Sequence, residues 1–203
     1  MRSDRVGRVV DVAPERYAAW RERFDIANHD GPQRILSVET FEPRHLAVVL
    51  VRRGGYAVAR VDGSTLVAHK VGTRHVQSRT AAGGWSQQRF ARRRGNQADE
   101  LVRAVADHAA RVLGLDPSSG TAGASAPRPF QSTGQDPSTP WGLVVGGDRA
   151  LVRDVLTDPR LRRLEELPRR EFHDIGDPKR AVLDDVLRRA RAVRVTIDDG
   201  PGT

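Results

Sequence analysis

The sequence contains no cysteine, and its longest uninterrupted apolar run covers only residues 46–51. Without cysteine, the chain cannot form disulfides, use a thiol nucleophile or bind zinc through thiolates. A membrane-spanning helix needs about 20 consecutive apolar residues, and the start of the chain lacks the apolar segment of a signal peptide. We therefore expect a cytoplasmic protein with no membrane association.

Residue patterns that carry common enzyme chemistry are also scarce. There is no Gly-x-Ser-x-Gly motif, and the six histidines are scattered at spacings unlike those of metal ligands. Gly146, Gly147 and Asp148 lack the lysine and the spaced glycines of a phosphate loop, which favours a structural turn. Three carboxylate pairs lie in polar surroundings typical of solvated surface. These pairs are Glu165-Glu166, Asp184-Asp185 and Asp198-Asp199. We expect no metal and no other cofactor.

Acidic residues are missing between Gly63 and Ala98, whereas basic residues are frequent there. The basic residues of this segment are Lys70, Arg74, Arg79, Arg89, Arg92, Arg93 and Arg94. The whole chain carries a net charge of +8, so this segment accounts for most of it. Segregated positive charge attracts polyanions over long distances. The pattern favours nucleic-acid binding over an indifferent basic surface.

The length of the chain fits a single domain over residues 1–203. We predict an N-terminal helical extension at residues 1–35, with a short helix at 14–24 whose aromatic residues recur at helical spacing and pack in the core. Three β-type runs follow, separated by glycine-containing turn signals. These runs cover residues 46–52, 56–61 and 66–71. They predict an antiparallel meander.

A long helix over residues 87–113 is the clearest periodic element. An apolar stripe recurs every 3.6 residues in its second half, whereas arginines project from the opposite face of its first half. The stripe consists of Ala98, Leu101, Val102, Val105, Ala109 and Val112. Residues 116–140, which follow, are rich in Ser, Gly, Thr, Ala and Pro, and we predict a disordered loop there.

The C-terminal third alternates strands and helices. The predicted elements are a strand at 143–145, a helix at 149–156, a strand at 171–174, a helix at 178–191 with Pro178 in its first turn, and a strand at 193–197. Together with the meander and the long helix, this order predicts an α/β fold with a mixed β-sheet flanked by helices.

The segment before the long helix combines groups that suit an RNA end. Gly83 and Gly84 make the backbone pliable, and the helix N-terminus that follows favours phosphate. Arginines of the first turns can add bidentate phosphate contacts, and the amides of Gln87 and Gln88 can position water without ionising. These groups can hold an RNA end and its ester during attack by water. A flexible hairpin capped by a basic helix is the alternative interpretation.

This segment resembles the Gly-Gly-Gln loop and following helix of the class-1 release factors of eukaryotes and archaea. The matching residues are Gly83, Gly84, Ser86, Arg89, Phe90, Ala91 and Arg92. The similarity extends to residues 62–65, 68–70 and 142–147, and it covers roughly residues 42–191. Trp85 takes the third position of the motif, with glutamine at 87 and 88 instead. In this respect the chain is most similar to the Vms-like release factors, and to their compact bacterial members of actinobacterial type.

The resemblance implies a release-factor middle-domain fold of ribonuclease H-like type. It also implies a codon-independent peptidyl-tRNA hydrolase that frees nascent chains from stalled or split ribosomes. By position, Gln87 is the catalytic residue and Gln88 the substitute. The rest of the catalytic loop consists of Gly83 and Gly84, with Trp85 and Ser86 positioning it.

The same resemblance assigns partners and RNA contacts. The residues expected to bind RNA are Lys70, Arg74, Arg79, Arg89, Arg92 and Arg93. The expected partners are the large ribosomal subunit, its RNA and peptidyl-tRNA, bound by a monomer. Two other functions stay open from the sequence: a ribonuclease that cuts near the 3′ end of the tRNA, and a non-catalytic ribosome-binding factor.

Overall fold

A computed structural model describes residues 7–73, 87–116 and 141–200, with side chains from residue 97 onward in the second range. The elements in chain order are β1 (Arg8–Val12), α1 (Pro14–Ala27), β2 (Arg34–Glu39), β3 (His45–Arg52), β4 (Gly55–Asp62), β5 (Thr65–Thr73), α2 (Gln87–Leu113), β6 (Trp141–Gly147), α3 (Arg149–Leu156), a 3₁₀ helix (Pro159–Glu166), β7 (Arg169–Phe172), α4 (Arg180–Arg191) and β8 (Val193–Asp198). The chain forms two compact units: Met1–Glu42 with Asp185–Thr203, and Pro43–Asp184.

The larger unit contains a five-stranded sheet in the order β5-β4-β3-β6-β7. Strands β3, β4 and β5 pair antiparallel and form the predicted meander. Strands β6 and β7 continue the sheet in parallel with β3. Side chains of β3 from Leu46 to Val51 are fully buried, and such burial on both faces explains the continuous apolar run in the sequence.

Helix α2 has the predicted bounds, Gln87–Leu113. Within its described side chains, the buried ones are Leu101, Val105, Ala106, Ala109, Ala110 and Leu113. They share a core cluster with Ala47, Val49, Tyr56 and Val58 of the sheet and with residues of α3 and the 3₁₀ helix. The second half of α2 is therefore anchored to one face of the sheet, as the stripe predicted.

Three details of the larger unit differ from the prediction. The 3₁₀ helix Pro159–Glu166 was missed, because its two buried residues, Leu161 and Leu164, give too short an apolar pattern. Strand β7 ends at Phe172, two residues before the predicted end. The expectation that Pro178 lies in the first turn of α4 is wrong: the carbonyl of Lys179 accepts the N–H of Leu183, so Lys179 is the N-cap and Pro178 precedes it.

The smaller unit contains a three-stranded antiparallel sheet in the order β1-β8-β2. Rings of α1 are stacked in series, with centroids 6.1 Å apart for Tyr17 and Trp20 and 5.4 Å apart for Trp20 and Phe24. They pack against the buried side chains of this sheet. The prediction of one mixed sheet is therefore corrected: the chain is mixed α/β with two sheets, and the last strand belongs to the second.

Strands β1 and β2 were not predicted, although both lie within or next to the N-terminal extension. They occupy the two edges of the smaller sheet, and their apolar residues Val9, Leu36 and Val38 are exposed. Apolar and polar residues therefore do not alternate cleanly along these strands. Residues 117–140, most of the predicted disordered loop, lie outside the described residues. None of the helices in the described ranges is long and apolar enough to span a bilayer.

Candidate functional site

Most residues of the predicted catalytic loop fall outside what the structure describes. Those outside the described residues are Gly83, Gly84, Trp85, Ser86, Arg74 and Arg79. The backbone positions that open α2 are described without their side chains, and they are Gln87, Gln88, Arg89, Arg92 and Arg93. The catalytic and RNA-binding roles of all these residues stay predictions.

The backbone of α2 begins at Gln87, and no acidic residue occurs in its first turn. The first N–H groups of a helix have no partner within the helix, and they carry the positive end of its dipole. An anion is therefore favoured at this end, and the sequence adds no carboxylate to oppose it. The glutamine predicted to be catalytic thus opens the helix.

Lys70 is the one predicted RNA-binding residue whose side chain the structure describes. It lies on β5 directly opposite Val58 of β4, and directly opposed residues of an antiparallel pair point to the same face. Val58 belongs to the core beneath α2. Lys70 therefore lies on the face of the sheet that carries α2, and its side chain is exposed.

His108 and Arg111 of α2 lie on the same face of the sheet as Lys70, and neither was predicted from the sequence. The ring of His108 stacks on Tyr56, with centroids 5.4 Å apart and planes inclined by 15°. Its Nδ1 lies 3.3 Å from Arg111 Nη2. Because a guanidinium only donates, Nδ1 accepts and the ring proton of the neutral imidazole is on Nε2.

The electrostatics of His108 agree with its position on the same face of the sheet as Lys70. The pKa of His108 is lowered, first by burial and then by the positive charges of Arg111 and Lys70, while Asp107 acts in the opposite direction. Burial raises the pKa of Tyr56, and Arg111 opposes that change. We call Lys70, His108 and Arg111 the α2–β5 basic cluster.

Gly72 makes room for the ring that supports this cluster. A Cβ on Gly72 would lie 2.3 Å from Cε1 of Tyr56, so a larger residue would push the ring off β5. His108 lies on the flank of the apolar stripe, three residues before Arg111 and 38 residues beyond Lys70. In the sequence, this flank position was the only signal for His108. Its position relative to Lys70 depends on how α2 docks on the sheet.

The turn at Gly146, Gly147 and Asp148 is structural, as predicted. Gly147 has φ +92°, and a Cβ there would lie 2.2 Å from the carbonyl oxygen of Val51. The carboxylate of Asp148 accepts the N–H groups of Ala150 and Leu151 at 3.0 and 3.3 Å. The N–H groups that a phosphate loop would offer at the start of α3 are therefore already occupied by the chain itself.

Carboxylates of the predicted surface pairs take part in ion pairs. Asp184 accepts from Arg180 Nε at 2.9 Å, Asp185 pairs with Arg188, and Asp199 lies 3.3 Å from Arg8 Nη2. These partners are substantially exposed. The pairs are therefore surface interactions of the kind that the sequence analysis expected.

Comparison with known protein families identifies the chain's relatives. A family model described as the Actinobacteria/chloroflexi VLRF1 release factor matches residues 44–196. The match covers about three quarters of the chain, from β3 through α4 and into β8. None of the curated proteins compared with the chain matches it. On the extent of this match, the chain belongs to the Actinobacteria/chloroflexi VLRF1 release-factor family.

Proposed function

We propose that this release-factor relative is a codon-independent hydrolase of peptidyl-tRNA that frees nascent chains from stalled or split ribosomes. The observation that carries the proposal is the position of the motif: Gly83, Gly84 and Ser86 directly precede a long helix that begins at Gln87. Family membership supplies the release-factor context. The proposed partners are the large ribosomal subunit, its RNA and peptidyl-tRNA, and the proposed form is a cytoplasmic monomer.

The architecture of the larger unit supports a release-factor middle-domain fold of ribonuclease H-like type. Its sheet begins with an antiparallel meander and continues with two parallel strands. Among its described side chains, those of α2 from Ala98 onward pack on one face of the sheet. Such a helix can rigidly support a reactive loop at its N-terminal end. Each residue of the helix adds roughly 1.5 Å to the distance between the packed part and that end.

In the proposed reaction, a water oxygen attacks the carbonyl carbon of the ester that joins the peptide to the terminal ribose. The bond from that carbon to the ribose oxygen breaks, the oxygen takes up a proton, and peptide acid and deacylated tRNA are released. Gln87 orients the water through its side chain, or its backbone amide polarises the ester through the terminal ribose. Gln88 is the substitute for this role.

The remaining residues of the segment hold the reactants. Arg89, Arg92 and Arg93 bind phosphates of ribosomal RNA or of the tRNA end. Gly83 and Gly84 let the loop refold on docking. Trp85 and Ser86 position the loop, and Lys70, Arg74 and Arg79 extend the RNA contacts along the chain that leads into it.

The test uses purified protein and ribosome complexes stalled on a sense codon, with the tRNA labelled and sized after reaction. We expect free peptide and a full-length, deacylated tRNA. A shortened tRNA would show instead that the protein is a nuclease that cuts near the tRNA 3′ end. Intact peptidyl-tRNA on complexes that bind the protein would show a non-catalytic binding factor.

A further inference from the structure

We propose that the α2–β5 basic cluster, Lys70, His108 and Arg111, is a second RNA contact that binds the phosphate backbone of ribosomal RNA. The cluster lies on the larger unit, and His108 and Arg111 are not among the residues predicted to form the catalytic loop or to bind RNA. The inference rests on the proposed function in one respect, namely that the partner is the ribosome.

The three residues come from different elements but share one face of the sheet, because the ring of Tyr56, which stacks on His108, packs over Gly72, two residues beyond Lys70 on β5. Lys70 extends from β5, whereas His108 and Arg111 lie one helical turn apart on α2. The stacked ring of Tyr56 supports the imidazole from the β4 side. Ring stacking and burial restrict the side chain of His108, so the cluster is partly preorganised for a ligand.

Asp107 is the carboxylate that acts on His108 from the same helix, and it is already engaged. Its Oδ1 lies 2.7 Å from Arg160 Nη2 of the 3₁₀ helix, and Arg160 also binds Asp158 at 2.8 Å. The charges that face His108 from β5 and from the next turn of α2 are both positive. The cluster therefore presents a net positive surface.

All three members of the cluster can donate hydrogen bonds to an anion. Lys70 offers an ammonium, Arg111 a guanidinium, and His108 its Nε2–H, because Nδ1 faces Arg111. Hydrogen bonds from charged donors to phosphate oxygens are among the strongest in proteins. Donors spread over two neighbouring elements match the repeated phosphates of a nucleic-acid backbone better than one small anion.

The position of the cluster along α2 indicates which RNA it contacts. His108 lies roughly 30 Å along the helix axis from Gln87, at about 1.5 Å of rise per residue. If the loop before Gln87 reaches the reacting ester, the cluster is far from the tRNA 3′ end. We therefore assign it to the ribosomal RNA that surrounds the body of a bound factor.

Proton uptake gives this contact a signature that other basic residues lack. In the free protein the pKa of His108 lies below its ordinary value, so the ring is neutral at neutral pH. A bound phosphate that draws the Arg111 guanidinium to itself ends the hydrogen bond to Nδ1 of His108, and its negative charge then favours protonation of Nδ1 and raises the pKa of His108. Binding then takes up a proton, and affinity increases as the pH falls.

The test measures binding of fluorescently labelled protein to purified vacant large ribosomal subunits at several salt concentrations. Replacing both Lys70 and Arg111 with alanine should lower the affinity about tenfold and reduce the salt slope by about two, one for each lost phosphate contact. The matched control replaces Arg162 and Arg163, two exposed arginines of the 3₁₀ helix, with alanine. It removes the same charge and should change both quantities much less.

A His108→Gln variant tests the proton uptake. Wild-type affinity should rise when the pH is lowered from 7.5 to 6, and this rise should be smaller in His108→Gln. An unchanged salt slope in a folded Lys70/Arg111 variant contradicts the proposal. So does a variant that loses affinity for free tRNA but not for large subunits. Peptide release is not part of this readout, so a wild-type protein that releases no peptide contradicts the proposed function and leaves the binding result valid.

Discussion

Two glycine pairs precede helices in this chain, and their surroundings differ. Gly146 and Gly147 lead through Asp148 into α3, where the carboxylate binds the first N–H groups of the helix. Gly83 and Gly84 lead into α2, whose first turn has no acidic residue. The residue directly before α2 in the sequence is the neutral Ser86. The residue directly before α3 is Asp148.

This difference shows that a glycine pair before a helix does not by itself make an anion site. At α3, position 147 requires glycine because the carbonyl oxygen of Val51 approaches it closely. The anion at the N-terminus of α3 is the carboxylate of Asp148, a residue of the chain itself. At α2 the sequence has no acidic residue in the first turn, at the positive end of the helix dipole. The start of α2 is therefore suited to external phosphate, and the start of α3 is not.

The largest expected effect concerns the arginines in the first turns of α2. Reversal of Arg89, Arg92 and Arg93 to glutamate should abolish ribosome association, because RNA affinity depends on neutralised phosphates. The protein should stay folded, since periodicity places these side chains opposite the apolar stripe. Co-sedimentation with ribosomes, with circular dichroism to verify folding, measures both. Normal co-sedimentation of a folded variant would show that these arginines of α2 do not bind the ribosome.

The glycine pairs themselves should respond in opposite ways. Gly147→Ala places a Cβ 2.2 Å from a backbone oxygen at φ +92°, and such strain costs on the order of 1–3 kcal/mol. Gly84→Ala should leave the unfolding free energy nearly unchanged but slow peptide release. Urea unfolding and release kinetics compare the two variants. A strongly destabilised Gly84→Ala would remove the contrast between a structural and a functional pair.

Single substitutions of the residues that precede the two helices should have smaller effects. Asp148→Ala removes the cap of α3 and should cost about 1 kcal/mol of stability, without an effect on ribosome binding. Ser86→Asp places a negative charge before α2 and should weaken ribosome binding severalfold, because a carboxylate there competes with phosphate for the same dipole. Thermal unfolding and binding titrations distinguish these outcomes. Unaltered ribosome binding by Ser86→Asp would contradict phosphate recognition at that helix end.

The smallest effect is expected for residues 116–140, which precede β6 and its glycine pair. A short Gly/Ser linker in their place should change the melting temperature by only a few degrees, since loop length contributes only logarithmically to stability. Release activity should be retained. A large loss of stability, or retained binding with lost release, would make this segment a functional element.

Elements with strong local patterns could be predicted from the sequence, and elements defined by distant partners could not. The apolar run of β3 and the long stripe of α2 gave bounds close to those observed. Strands β1 and β2 pair with β8, more than 150 residues away, and they are too exposed to show an alternating pattern. The assignment of β8 to the main sheet failed for the same reason.

The residues of the candidate site divide in the same way, into those with a local sequence pattern and those defined by distant partners. Lys70 was predicted from the charge pattern, because that pattern is local. His108 and Arg111 were missed, because their association with Lys70 depends on the docking of α2 against β4 and β5. Contacts between side chains of different elements are set by tertiary packing, and periodicity alone does not reveal them.

The central claim is that Gln87, the first residue of α2, carries the release reaction. The most direct measurement compares peptide release by Gln87→Ala, Gln88→Ala and wild-type protein on stalled complexes, with ribosome binding measured in parallel. Loss of a positioning amide commonly costs ~10²–10³ in rate. Gln87→Ala should bind normally and release at least about tenfold more slowly, Gln88→Ala should be milder, and Gln87→Pro, which lacks the N–H, should be slower still if the backbone amide acts. Wild-type release by Gln87→Ala together with an inactive Gln88→Ala would contradict the claim and move the catalytic position to Gln88.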